Sequence, residues 1–158
     1  MKLTFSTLNV NRASFVDMCR YAYDYGFDGF EIYDAVAERK HHYDSVLRSN
    51  QMSDAKRKLV NRNLSVSALR MPAALESEET TAELVEKYVN MAAASGIENV
   101  IVRTETKTDF DILDEKMSVA IKRAQASDVN ILFETIGYLA RTENVIDVIN
   151  NFASSAIG

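Results

Sequence analysis

Gly26-Phe27-Asp28-Gly29-Phe30-Glu31-Ile32-Tyr33 is the stretch on which the fold turns. It opens with glycine, the residue that most readily takes the left-handed conformation ending a helix, and runs on into apolar and aromatic residues suited to a strand. Just upstream, Ser14 and Asp17 have the spacing of a capping box. Phe15, Met18, Cys19, Ala22 and Tyr25 then recur at three- and four-residue intervals, which predicts an amphipathic helix over 14–25. The order is therefore helix, glycine, strand. It returns further on: a predicted helix over 81–94, with Leu84, Val85, Tyr88, Met91 and Ala92 on its apolar face, ends at Gly96 and leads into Ile97-Glu98-Asn99-Val100-Ile101-Val102. Both junctions read as glycine, apolar, acidic, small or polar, then apolar.

Working outward, Leu3-Thr4-Phe5-Ser6-Thr7-Leu8 reads as an opening strand. A predicted helix over 55–61 precedes a third strand, Leu64-Ser65-Val66-Ser67-Ala68-Leu69, and the polar insert 38–44 reads as an exposed loop or short helix. Leu113, Met117, Ala120, Ile121 and Ala124 line one face of a predicted helix over 110–126, and Val129-Asn130-Ile131-Leu132-Phe133 follows as a fifth strand. Val145, Ile146, Ile149 and Phe152 mark a last helix over 142–152. Strands alternating with helices at about thirty residues per unit imply an α/β fold with a parallel sheet, because a helical crossover returns the chain in the same direction. Two architectures satisfy this: about five of the eight units of a parallel (β/α) TIM barrel, or an open five-stranded doubly wound sheet. Ser154-Ser155-Ala156-Ile157-Gly158 resembles the start of one more helix-to-strand junction, which favours a single domain over 1–158 forming the N-terminal part of a (β/α)8 barrel.

Composition narrows the function classes. The 158 residues are 47% hydrophobic and 26% charged, enough for one globular core without disulfides. Eighteen basic against 23 acidic residues, spread along the chain, give a charge of −5 and argue against nucleic-acid binding. The single cysteine, Cys19, falls on an apolar helix face and reads as a packing residue; a lone cysteine suits a reducing, cytoplasmic setting. No run approaches the roughly 18 apolar residues of a membrane span, and the N-terminus lacks a signal-peptide pattern. Phosphate-cradling glycine motifs and a serine nucleophile elbow are absent too.

In either parallel architecture a ligand site lies at the carboxyl ends of the strands. Polar residues end the apolar runs at four places: Glu31 and Asp34 after the second strand, Arg70 after the third, Arg103 and then Glu105 after the fourth, and Glu134 after the fifth. Glu134 is the sharpest candidate, since a carboxylate directly behind Ile131-Leu132-Phe133 needs a metal, an arginine or a bound substrate as partner. Against the functional reading, Glu31 could face solvent or pair in its strand, and Arg70 and Arg103 could be structural ion-pair partners of Glu31 or Glu134. His41 and His42 are adjacent in a charged insert and lack the spacing that puts two metal ligands on one helix face.

These residues resemble a family, the xylose isomerase-like TIM barrels that include sugar phosphate isomerases and epimerases and the related AP endonuclease type. The resemblance runs from Leu3-Thr4-Phe5-Ser6-Thr7 through Gly26-Phe27-Asp28-Gly29-Phe30-Glu31-Ile32 to Ile131-Leu132-Phe133-Glu134-Thr135. It implies a divalent metal (Mn, Zn, Mg or Co) in the complete barrel and proton transfer between neighbouring carbons of a sugar or sugar phosphate through an enediolate. By this resemblance Glu134 would be a metal ligand and one of two glutamates exchanging the substrate proton, while Glu31, Arg70 and Arg103 are expected to contact substrate from their positions at the strand ends. The other ligands implied, Asp, His and Glu, belong to sixth, seventh and eighth strands, so this chain alone is expected to lack most of the metal site and to be inactive. Ile136 stands where many members carry histidine. The alternative is a non-catalytic module binding a small ligand or a protein. The exposed sheet edges of a partial barrel further predict self-association.

Overall fold

The computed structural model describes residues 2–10, 13–33, 35, 57–107 and 109–158. Asp34, His41, His42 and the insert 38–44 lie outside the described residues. The elements are β1 (Thr4–Ser6), α1 (Phe15–Asp24), β2 (Gly29–Tyr33), β3 (Ser65–Arg70), α2 (Ala82–Ser95), β4 (Asn99–Val102), α3 (Phe110–Ser127), β5 (Asn130–Phe133) and α4 (Thr142–Phe152). Single 3-10 turns, Thr7–Val10 and Gly137–Ala140, follow β1 and β5. Of the helix expected over 55–61, residues 57–60 are described and helical.

Local chemistry sets the boundaries. At α1 the Ser14 hydroxyl accepts from the Asp17 N–H at 3.2 Å while the Asp17 carboxylate accepts from the Ser14 N–H at 3.1 Å, the reciprocal capping box. Both junction glycines are left-handed, Gly26 at φ 73° and Gly96 at φ 67°. Gly29 is required for a different reason. A β-carbon there would lie 1.9 Å from the Ser65 carbonyl oxygen, so β2 and β3 can meet only if this residue has no side chain.

All five strands are parallel, in the order β1-β2-β3-β4-β5. Each strand lies beside its predecessor and the order never reverses. A doubly wound sheet must reverse at its switch point, so the open-sheet alternative is set aside and the winding is that of a barrel. The winding also continues past β5, where Ile157 bridges Ile131 in parallel, with Ile131 N–H donating to Ala156 at 2.7 Å and Phe133 N–H donating to Gly158 at 2.8 Å.

One face of the sheet is apolar, and the other carries polar side chains together with Ile101 and Leu132. Phe30, Ile32, Leu69, Val100, Val102, Ile131 and Phe133 share a single core with helix residues such as Met18, Ala22, Val85, Tyr88, Met117 and Ala120. Phe30 packs edge-on against Phe15 at 5.6 Å, and Phe133 stacks on Phe152 at 6.1 Å. Two face assignments differ from the periodicity. Tyr25 is 75% exposed because it caps α1 instead of continuing it, and on α4 Val148 is buried while Ile146 is exposed. On the opposite face of the sheet, Ser67 donates to Thr4 at 3.5 Å, Asn99 to the Ser67 carbonyl at 2.9 Å and Asn130 to Asn99 at 3.2 Å, a polar ladder across four strands. Among the described residues no helix is long and apolar enough to cross a membrane.

Candidate functional site

Register decides which strand-end residues meet. Ser6 lies opposite Glu31, Glu31 opposite Ala68, Tyr33 opposite Arg70, Arg70 opposite Ile101 and Ile101 opposite Leu132. This requires a bulge. Phe30 pairs with Val66 but Glu31 with Ala68, so Ser67 is extra in β3. Were Ser67 part of a regular strand instead of a bulge, the side chains beyond it would swap faces, sending Arg70 into the core and Leu69 to the polar side.

With the bulge, Arg70 emerges on the polar face at the carboxyl end of β3. Its Nη2 lies 2.6 Å from both Oε1 and Oε2 of Glu134, and its Nη1 lies 3.7 Å from Oε1 of Glu31. Ser6 on β1 donates its hydroxyl to the same Glu31 oxygen at 2.7 Å. The Tyr33 ring lies 5.9 Å from the guanidinium carbon. Side-chain exposures are 16% for Arg70 and Glu31 and 22% for Glu134, so the ions are largely withdrawn from water yet open on one side. Charge-assisted hydrogen bonds are strong in such surroundings.

Of the strand-end candidates, Glu31, Arg70 and Glu134 thus form one cluster drawn from β2, β3 and β5. Arg103 stands apart. Its Nη2 pairs with Glu105 at 3.1 Å and donates to the Pro72 carbonyl at 2.9 Å, so it ties the loop after β4 to the loop after β3 and touches neither Glu31 nor Glu134.

The rim is cross-braced by residues the sequence reading did not single out. Glu76, in the loop after β3, accepts from the backbone N–H groups of Glu105 and Thr106 at 2.8 and 2.9 Å and from the Thr106 hydroxyl at 3.1 Å. Burial pushes the Glu76 carboxyl pKa up, but hydrogen bonds from its own N–H and from Thr106 and Glu105 outweigh burial and hold it below the usual range. Lys116, on α3, donates to the carbonyls of Leu75 and Ser77 at 2.6 and 2.8 Å. After β5, Gly137 crosses so close to Glu105 that a β-carbon would sit 2.7 Å from its carbonyl oxygen, and the Tyr138 N–H donates to that oxygen at 3.1 Å. Ser6 and Tyr33 were legible in principle, since each lies on its strand's polar face and Tyr33 is two residues beyond Glu31. Glu76 and Lys116 act between loops, and nothing in their sequence neighbourhood marks them.

A divalent ion finds no ready seat among these groups. Among the described residues no three His, Cys, Asp or Glu side chains converge, and both Glu134 oxygens already face a guanidinium. The residues present therefore do not fit a metal by themselves.

A parallel (β/α) winding with a polar cluster at the strand ends defines the class as barrel-type. Comparison with known proteins makes the class more specific. No protein-family model matches the sequence, and no curated protein matches it. Solved structures do. A xylose isomerase domain protein from Planctomyces limnophilus is similar at TM-score 0.75 and 12% identity, over 99% of this chain and 61% of its own. The 3-keto-D-glucoside 4-epimerase YcjR from E. coli is similar at TM-score 0.71 and 14% identity, over 99% of this chain and 66% of its own. A xylose isomerase-like TIM barrel protein from Mycobacterium smegmatis, solved in complex with magnesium, is similar at TM-score 0.66 and 14% identity, over 99% of this chain and 63% of its own. At these identities the likeness is one of fold. The chain has the fold of the xylose isomerase-like TIM barrels and spans roughly three-fifths to two-thirds of the length of these structures.

Proposed function

We propose that the chain is the N-terminal five-unit part of a sugar or sugar-phosphate isomerase or epimerase, carrying one wall of its active site. The observation that carries this reading is the convergence of Glu31, Arg70 and Glu134, from three different strands, at the carboxyl rim where barrels of this fold bind their ligands. Glu134 is the proton-exchanging carboxylate: it sits at the rim, and a positioned carboxylate can take a proton from the carbon beside a sugar carbonyl. Arg70 and Glu31 offer a donor and an acceptor to sugar hydroxyls, and Arg103 borders the same mouth from the loop after β4. The divalent metal (Mn, Zn, Mg or Co) that the family resemblance implies belongs to the complete barrel, with Glu134 as the ligand this chain would contribute. The chain alone is proposed to be inactive, and to self-associate through the outer edge of β1 and the edge begun at Ile157.

The alternative of a non-catalytic small-ligand module is favoured by one fact, that Arg70 engages both Glu134 oxygens. One experiment addresses both readings. Unphosphorylated and phosphorylated aldoses and ketoses are titrated into the isotopically labelled chain in D2O, and protein resonances and sugar C–H signals are followed by NMR. Shifts grouped at residues 31–33, 70, 103 and 134 support the site. Loss of C–H signal would assign chemistry to the chain itself; binding without such loss fits the inactive part or the module. No shift with any sugar at millimolar concentration would overturn the reading.

A further inference from the structure

We propose that the wall of the mouth built by this chain selects uncharged sugars and disfavours their phosphate esters. The inference rests on the reading of the strand-end cluster as a sugar site and names the substrate class that this site takes. Three observations carry it. The first is that the cations drawn to the rim are committed. Arg70 holds both Glu134 oxygens at 2.6 Å and reaches Glu31 at 3.7 Å, while Arg103 pairs with Glu105 at 3.1 Å and donates to the Pro72 carbonyl at 2.9 Å. Lys116 donates to the carbonyls of Leu75 and Ser77. A phosphate would have to displace or share an acceptor already held by one of these groups.

The second observation concerns the helix ends. Each helix follows a strand of one parallel sheet, so α1, α2, α3 and α4 all begin on the side where the strands end. A helix N-terminus is where a fold most readily holds phosphate. Here each of these four carries a carboxylate in its first turn, Asp17, Glu83, Asp111 and Glu143. Three also have a backbone N–H donated to a capping side chain, that of Ser14, Thr81 or Asp109. The third observation is the charge of the loops. Glu76, Glu78 and Glu79 after β3, with Glu105 and Asp109 after β4, outnumber Arg103 and Lys107 in the same two loops. By sequence, residues 34–56 carry four basic and four acidic side chains and so bring no net charge.

A phosphate monoester carries nearly two negative charges at neutral pH and meets a field of its own sign at this rim. An uncharged sugar brings hydroxyl donors and acceptors to the Glu31, Arg70 and Glu134 cluster without separating its charges.

The test uses matched pairs, D-fructose with D-fructose 6-phosphate and D-glucose with D-glucose 6-phosphate, and inorganic phosphate as a separate probe. Each is titrated into the isotopically labelled 158-residue chain and followed by NMR, in wild type and in Glu105→Gln. Glu105 is 55% exposed, so its substitution leaves the core untouched. The proposal expects the sugar to bind about tenfold tighter than its phosphate at low salt, with the difference narrowing at high salt as the field is screened. It expects inorganic phosphate to leave residues 70, 103 and 134 unshifted in wild type and to shift residue 103 in Glu105→Gln, where Arg103 has lost its counter-ion. A phosphate ester that binds as tightly as its parent sugar overturns the proposal. So does inorganic phosphate that shifts residues 70 and 103 in wild type, or that behaves alike in the two chains. If neither sugar of a pair binds, the sugar reading falls while the inorganic phosphate comparison still decides the charge argument.

Discussion

Replacing Gly29 by alanine tests the packing that places Glu31. The added β-carbon would stand 1.9 Å from the Ser65 carbonyl oxygen and 2.9 Å from its carbon, both backbone atoms of the neighbouring strand that cannot swing aside. Restoring ordinary contact means moving β3 off β2 by about 1.5 Å at this point, an overpacking strain of about 3 kcal/mol at the upper end of the usual range. The Ser65 N–H, which donates to the Asp28 carbonyl at 3.0 Å, is stretched in the process and adds a further loss of about 1 kcal/mol. The sum, about 4 kcal/mol, is a large part of the stability of a domain this size and corresponds to a fall in Tm of about 8–16 °C. The companion variant Gly26→Ala meets nothing within 4 Å and suffers only from its φ of 73°, so it should lose about 1 kcal/mol. Urea unfolding followed by circular dichroism at 222 nm measures both. Equal losses in the two variants, or a smaller loss for Gly29→Ala, would refute the close approach of β2 and β3 and with it the register that sets Glu31 beside Arg70.

Three further outcomes follow from the same geometry. Met117, fully buried on α3, should cost about 3 kcal/mol on replacement by alanine, read from the urea midpoint. Glu76 has a depressed folded pKa, so its stabilisation is fully present above the ordinary glutamate value and is lost as pH falls through the lowered one. Thermal scans across that acid window should show a shallower loss in Glu76→Gln than in wild type, and parallel curves would remove Glu76 from the rim bracing. The Cys19 thiol is buried, and burial, only partly offset by Arg62 and Lys58, pushes its pKa up to about 11. It should resist a thiol reagent at pH 8 in the folded chain and react fully in urea, as measured by mass spectrometry.

Helices were the most legible part of the sequence, because their faces and ends are written locally. The buried face of α3, Leu113, Met117, Ala120, Ile121 and Ala124, follows from spacing alone, and α4 begins and ends at the predicted Thr142 and Phe152. Where a local rule met an element's end it failed: Tyr25 belongs to the cap of α1 and not to its apolar stripe. The strand-end candidates were legible for a similar reason, since a charge after an apolar run must lie at the edge of the sheet. Their partners were not. Which strand-end residues meet depends on register across separate strands, and that register hinges on the extra residue Ser67. The three-residue step from Val66 to Leu69, both packed on the core side, breaks the two-residue alternation of a regular strand and is the trace the bulge leaves in the sequence. Arg103 illustrates the converse, a strand-end charge spent on bracing loops.

The central claim is that charges from separate strands form one coupled cluster at the mouth, and a double-mutant cycle on Arg70 and Glu134 tests it most directly. Wild type, Arg70→Met, Glu134→Gln and the double variant are unfolded in urea under identical conditions. Two hydrogen bonds of 2.6 Å between largely buried ions predict a coupling of about 2 kcal/mol, with the double variant more stable than Arg70→Met alone. Losses that add to within about 0.3 kcal/mol would mean the two side chains act independently and would contradict the account.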